Sequence, residues 1–222
     1  GHDGWNLERF WKEPEAQYAQ LSLAEVAALR LYTTSTFRLI NQPLRAQATD
    51  EQTVQSNKSA KELMEEAEDE DDAIRIAREV ADRVGRRADA FNHLLLPITT
   101  RLIDSGLKKL RTWNMQVEVD EKGRQRQFKP RYLWRGLKNK DLDEDAEAGR
   151  RFLRVGGAEN ACLSATADMG VMVRYARSHN PLVFRFKVDN PMQMGADISW
   201  LSTFPDEKEV LYPPMTCAIP TL

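Results

Sequence analysis

Helical periodicity fills the first half of this chain and short two-residue alternation recurs through the second, without regular strand–helix–strand alternation. A doubly wound parallel sheet needs regular strand–helix–strand alternation, so this order predicts an α+β architecture instead. Leu7, Phe10 and Trp11 form a short apolar stripe, and Ser22 with Glu25 has capping-box spacing ahead of Val26, Leu29 and Leu31. Ser35 or Thr36 can start a further helix carrying Phe37 and Ile40. Residues 47–57 are polar and aperiodic, which predicts a loop. From residue 65 to 72 seven of eight residues are acidic, a run expected as an exposed helix start or a solvated segment. Ile76, Val80, Val84, Ala88, Phe91 and Leu95 recur at helical spacing up to Pro97, which should end or kink that helix, and Ile98, Leu102 and Leu110 mark another.

Beyond Trp113 the pattern shortens. Val117, Val119, a turn at residues 120–123 and Phe128 predict a hairpin. Four better strand segments follow at Arg131–Leu137, residues 160–165, Leu182–Val188 and Glu209–Tyr212. The 222 residues are 41% hydrophobic, enough to bury a core as one domain or as two closely packed lobes, and a single domain is expected. That domain is expected to have a mainly helical lobe over residues 1–112 and a β-rich part over 113–222.

Charge and composition exclude several classes of function. The 32 Lys and Arg nearly cancel the 34 Asp and Glu, so the net charge of −2 gives no basic field for a nucleic-acid backbone. Cys162 and Cys217 could form at most one bridge, and His2, His93 and His179 lie too far apart for a sequence-encoded metal site. The longest apolar run, Leu94-Leu95-Leu96, stops at Pro97, so no membrane span is expected and the chain reads as soluble, whether intracellular or secreted. It opens on Gly1-His2 without a methionine, a pair of the kind left by tag removal, and is expected to be an excised piece.

The segment Glu207-Lys208-Glu209 carries the chemistry. Glu-x-Glu also occurs at Glu13/Glu15, Glu66/Glu68 and Glu68/Glu70, so its context decides. Pro205 before it and Pro213-Pro214 after it leave no room for a helix and predict a short extended strand. In such a strand the two carboxylates would share one side, about 6.6 Å apart along the chain. Breaking a ribosyl bond develops oxocarbenium-like charge that one carboxylate can stabilise. A second can orient a cationic acceptor such as a guanidinium.

Two further segments offer complementary groups. Arg135 shares a strand face with Leu133 and Leu137, and an inward guanidinium needs an anion, either a structural carboxylate or a pyrophosphate. Gly136 beside it permits close backbone approach to a ligand or marks a bulge. Ser164 and Thr166 put two hydroxyls on one side of an extended segment, to bond a sugar and brace a carboxylate or to cap the following helix from Met169 to Tyr175.

Leu133-Trp134-Arg135-Gly136, Ser164-Ala165-Thr166 and the run from Ile198 through Phe204-Pro205-Asp206-Glu207-Lys208-Glu209 to Pro214 together resemble the Arg–Ser–Glu signature of the mono-ADP-ribosyltransferases. The likeness is to the arginine-specific branch that includes vertebrate enzymes and actin-modifying bacterial toxins. Tyr32-Thr33, Phe37, Ile40-Asn41 and Leu44-Arg45 are similar to the family's pattern on the helical lobe that covers NAD. The resemblance implies the ADP-ribosyltransferase fold, a helical lobe packed on a split, mixed or antiparallel β core, with NAD as cosubstrate and no metal.

It further implies that Arg135 holds the NAD phosphates and Gly136 offers its backbone to the nicotinamide amide. Ser164, helped by Thr166, would contact the ribose and brace Glu209, the catalytic glutamate. Glu207 would engage an exposed arginine of an acceptor protein, Phe204 would help recognise that protein, and Tyr32 and Asn41 would line the NAD cleft. The chain departs from the family in reading Ser164-Ala165-Thr166 for Ser-Thr-Ser and in carrying Phe37 where the toxins often have tyrosine. The family also continues past the double proline into another strand, for which little chain is left before Leu222. Two other functions share these residues: an NAD glycohydrolase, with water as acceptor, and a silent protein- or nucleotide-binding module.

Overall fold

The computed structural model describes residues 2, 4–54, 96–116, 129, 131–139 and 146–221. The hairpin, the acidic run and the helix from Ile76 expected from sequence lie outside the described residues. The chain divides into two compact units, Gly1–Phe37 with Ile98–Leu222, and Arg38–Pro97.

In the first unit, helices α1 (Leu7–Trp11), α2 (Pro14–Tyr18), α3 (Leu23–Tyr32) and α5 (Pro97–Gln116) precede the strands. The capping box forms as the sequence predicts, with Glu25 N–H donating to Ser22 Oγ at 3.2 Å and Ser22 N–H to Glu25 Oε2 at 2.7 Å. Val26 and Leu29 on α3 and Ile103, Leu107 and Leu110 on α5 are fully buried, as the amphipathic spacing requires. Glu25 also accepts from Ser105 Oγ at 2.7 Å and Lys109 Nζ at 2.8 Å, tying α3 to α5. Pro97 opens α5, since its missing N–H costs nothing in a first turn, and the helix it was expected to end lies outside the described residues.

The strands form a five-stranded sheet in the order β4 (Leu182–Val188), β1 (Arg131–Leu137), β3 (Leu163–Thr166), β6 (Glu209–Tyr212), β5 (Ala196–Asp197). Every pairing in it is antiparallel. Helix α6 (Ala146–Val155) and strand β2 (Gly157–Glu159) separate β1 from β3, and α7 (Met169–Ala176) separates β3 from β4. A second, two-stranded sheet pairs β2 with β7 (Thr216–Ala218), so the residues after the double proline do provide a short strand. Gly156 ends α6 at φ 81°, where an added Cβ would lie 2.3 Å from the Ala218 carbonyl oxygen; only glycine fits. Leu133, Leu163, Ala165, Val188, Val210 and Tyr212 make the sheet's core cluster.

The helical layer is bonded to the β layer by arginines that satisfy loop carbonyls. Arg30 donates to the Leu201 carbonyl at 2.7 Å, and Arg111 donates to those of Met192 and Met194. The α+β expectation holds, and three of the four strand segments match. The fourth begins later, at Leu163, because Glu159 Oε1 accepts the Ala161 N–H at 3.2 Å and turns residues 160–162 into a bend.

In the second unit, α4 (Phe37–Val54) runs through residues 47–54, where a loop was expected. That stretch is mostly polar in sequence but contains neither Gly nor Pro, so nothing in it breaks a helix already begun. Pro43 lies within the same helix.

Candidate active site

Three neighbouring strands deliver the candidate residues: β1 brings Arg135, β3 brings Ser164 and Thr166, and β6 begins at Glu209. Strands β1 and β4 pair along seven positions, whereas β1 and β3 pair only at Trp134 and Thr166. Beyond that point the Arg135 guanidinium takes over, its Nη1 donating to the Ser164 carbonyl at 3.1 Å. A side chain thus bridges strands where a backbone ladder would otherwise close them.

Arg135 is mostly buried, with 16% of its side chain exposed, and its Nη2 lies 3.6 Å from Glu159 Oε2. Charge-assisted bonds are usually about 2.7–2.9 Å long, so this contact is longer than an ideal one. Glu159 is a partner that the sequence did not reveal.

Gly136 has a packing reason of its own. A Cβ there would stand 2.7 Å from the Met172 carbonyl oxygen and 2.8 Å from the Ala176 nitrogen, so α7 lies directly against β1 at this residue. Its close approach on that side is to a helix.

Ser164 hydrogen-bonds the Glu209 carboxylate through its side chain. Thr166 pairs with Glu209 across β3 and β6, and its Oγ1 donates to the Glu207 carbonyl at 2.8 Å. Neither hydroxyl caps α7. That task falls to Asp168, whose Oδ1 accepts from the N–H groups of Gly170 at 2.9 Å and Val171 at 3.3 Å.

The two acids are not arranged on an extended strand as expected. Pro205 presets a one-turn 3-10 helix over Pro205–Glu207, Lys208 is left-handed at φ 46° and ψ 49°, and only Glu209 is in β6. The two-residue alternation therefore does not apply. The acids come close by this turn instead, and each affects its surroundings. Burial pushes the Glu209 carboxyl above the ordinary carboxylate range; the Ser164 hydrogen bond lowers it, the Glu207 charge raises it, and the Arg135 charge lowers it. Glu207 Oε1 accepts from Tyr175 Oη at 2.7 Å. Burial, followed by that hydrogen bond and the two acidic charges, pushes the Tyr175 phenol up to about 12. Lys208 Nζ bonds Asp168 Oδ2 at 3.0 Å, and this pairing leads the causes that hold Asp168 below the ordinary range.

Phe204 is 56% exposed just ahead of the acidic turn, its carbonyl accepting the Glu207 N–H at 3.0 Å. Tyr32 is buried at the end of α3, its ring 6.3 Å from that of Phe37. The neighbouring Thr33 shares a 3.0 Å hydrogen bond with Thr203 in the loop leading to the acids. Asn41 is buried on α4 and belongs to the other unit. Among the described residues no three His, Cys, Asp or Glu side chains gather as a metal site, and no helix is long and apolar enough to cross a membrane.

No family model matches the sequence, and no curated protein matches it. Among solved structures, the chain is similar to the ADP-ribosyltransferase HopU1 of Pseudomonas syringae pv. Tomato DC3000, with a TM-score of 0.54 and 18% identity over 97% of this chain and 80% of that one. Exoenzyme S from Pseudomonas aeruginosa, in complex with human 14-3-3 protein beta and bound to carba-NAD, gives a TM-score of 0.47 and 19% identity over 97% of this chain and 72% of that one. The similarity to HopU1 shows that this chain has the ADP-ribosyltransferase fold.

Proposed function

We propose that this chain is a mono-ADP-ribosyltransferase that cleaves NAD at the bond between nicotinamide and ribose and passes ADP-ribose to an arginine of an acceptor protein. The carrying observation is that Arg135, Ser164 and Glu209, distant in sequence, are joined on adjacent strands by the Arg135–Ser164 and Ser164–Glu209 hydrogen bonds, with Glu207 beside them. A fold alone does not specify an activity; this constellation supplies the chemistry.

Arg135 holds the pyrophosphate, whose oxygens match the guanidinium fork. Gly136, beside the point where β1 and β3 part, offers its backbone to the nicotinamide amide, and Tyr32 lines the cleft. As the C1′–N bond breaks, its electron pair neutralises the pyridinium nitrogen and positive charge develops on the ribose. Glu209, ionised and steered by Ser164, stabilises that charge. Glu207 orients the acceptor guanidinium and takes the proton that its nitrogen loses on bonding to C1′. Phe204, exposed next to the turn, meets the acceptor protein.

Incubation with NAD labelled in the adenylate moiety, together with a protein mixture, tests the reading. Label fixed to protein at arginine is expected; free ADP-ribose alone identifies a glycohydrolase, and intact NAD identifies a binding module. Glu207→Gln is expected to remove transfer while NAD cleavage persists. Unchanged transfer in that variant would assign Glu207 another task.

A further inference from the structure

We infer that Tyr175 is a positioning residue that presents the Glu207 carboxylate to the acceptor side chain, a role that rests on the function proposed above. Glu207 closes a single 3-10 turn, and the chain leaves it through a left-handed lysine. Its backbone is pinned by Thr166 Oγ1 at the carbonyl, and the next residue is tied to Asp168 through Lys208. Neither contact fixes the three side-chain torsions of a glutamate. Among the described residues, the group bonded to that carboxylate is Tyr175 Oη, at 2.7 Å from Oε1.

The geometry suits orientation. Tyr175 stands on α7, whose Val171, Met172 and Ala176 are buried and whose backbone lies against Gly136, so the phenol extends from a fixed platform. It engages Oε1, leaving Oε2 for a guanidinium, which binds carboxylates through a fork of donors. A phenol titrating at about 12 stays a donor throughout the neutral range, so it holds the acid without exchanging protons with it. Glu209 is braced separately, by Ser164, which makes acceptor alignment separable from NAD cleavage.

The test compares the full chain with Tyr175→Phe, using NAD and agmatine, a small guanidinium acceptor. Nicotinamide release is followed with and without agmatine, and ADP-ribosyl-agmatine is quantified. We expect the variant to form product on the order of tenfold to a hundredfold more slowly, the loss that misplacing a reacting group produces. The KM for NAD and the release of nicotinamide without acceptor should each change less than about twofold.

Product formation within twofold of the parent, or a parallel fall of cleavage and transfer, overturns the role of Tyr175. Failure of the parent chain itself to cleave NAD, or to label agmatine, overturns the proposed function and this role with it. The parent and variant measurements therefore separate the two failures.

Discussion

Replacing Glu25 by Gln should cost about 3 kcal/mol at neutral pH, and that cost should shrink in acid. Glu25 is 3% exposed, and burial alone would raise its pKa. Hydrogen bonds from Lys109, Ser105 and Ser22 outweigh burial and hold the carboxyl at about 2 instead of 4.5. At about 1.4 kcal/mol per pH unit, this difference gives roughly 3 kcal/mol of stability with the group ionised. Since the folded value is the lower one, the contribution is complete above 4.5 and lost as pH falls toward 2. Glutamine keeps an acceptor for the α3 cap but loses the ion pair to Lys109 and turns a donor toward the other donors.

Urea unfolding of both proteins at pH 7 and pH 3 measures this effect. The gap between them should fall by more than half, from roughly 3 to roughly 1.4 kcal/mol. A gap below about 0.5 kcal/mol at pH 7, or one that does not change with pH, would refute the assignment of this carboxylate as the ionised link between α3 and α5.

Two further substitutions probe the β layer. Gly136→Ala puts a methyl within 2.8 Å of backbone atoms of α7 and should destabilise the fold by roughly 1–3 kcal/mol in the same urea assay; an unchanged midpoint would contradict the close packing of α7 on β1. Glu209→Gln should slow NAD cleavage by about a hundredfold or more, because the developing ribosyl charge loses its partner. It should also stabilise the protein. The folded carboxyl titrates above its ordinary value, so ionising it costs folding free energy as pH rises through that interval, and glutamine removes the cost at neutral pH. In the parent, cleavage should decline on acidification at a higher pH than an ordinary carboxylate would give. A rate independent of pH across the mildly acidic range would contradict a raised Glu209.

Much of this arrangement was legible in the sequence where local signals agree. Leu182–Val188 and Glu209–Tyr212 carry aromatic and β-branched residues, Arg131–Leu137 carries Tyr132 and Trp134, and prolines flank the first two, at Pro181, Pro191 and Pro213. The cap at Ser22 follows from spacing alone. The helix through residues 47–54 was hidden because a polar stretch has no stripe to betray it.

The acidic turn shows a different limit. Pro205 marked a break, but lysine has no preference for the left-handed conformation that Lys208 adopts, so the sequence implied an extended pair where a tight turn forms. Tyr175 and Glu159 went unnoticed because their partners, Glu207 and Arg135, lie 32 and 24 residues away in the chain, and neither has a local signature. Tyr175 reads as one more apolar position of α7; its hydroxyl was the only hint.

A crystal structure of the chain with a non-hydrolysable NAD analogue would show whether the three strands share one dinucleotide. The pyrophosphate should lie against Arg135 and the nicotinamide ribose against Ser164 and Glu209. A dinucleotide bound elsewhere, with these three side chains retaining only one another as partners, would contradict it.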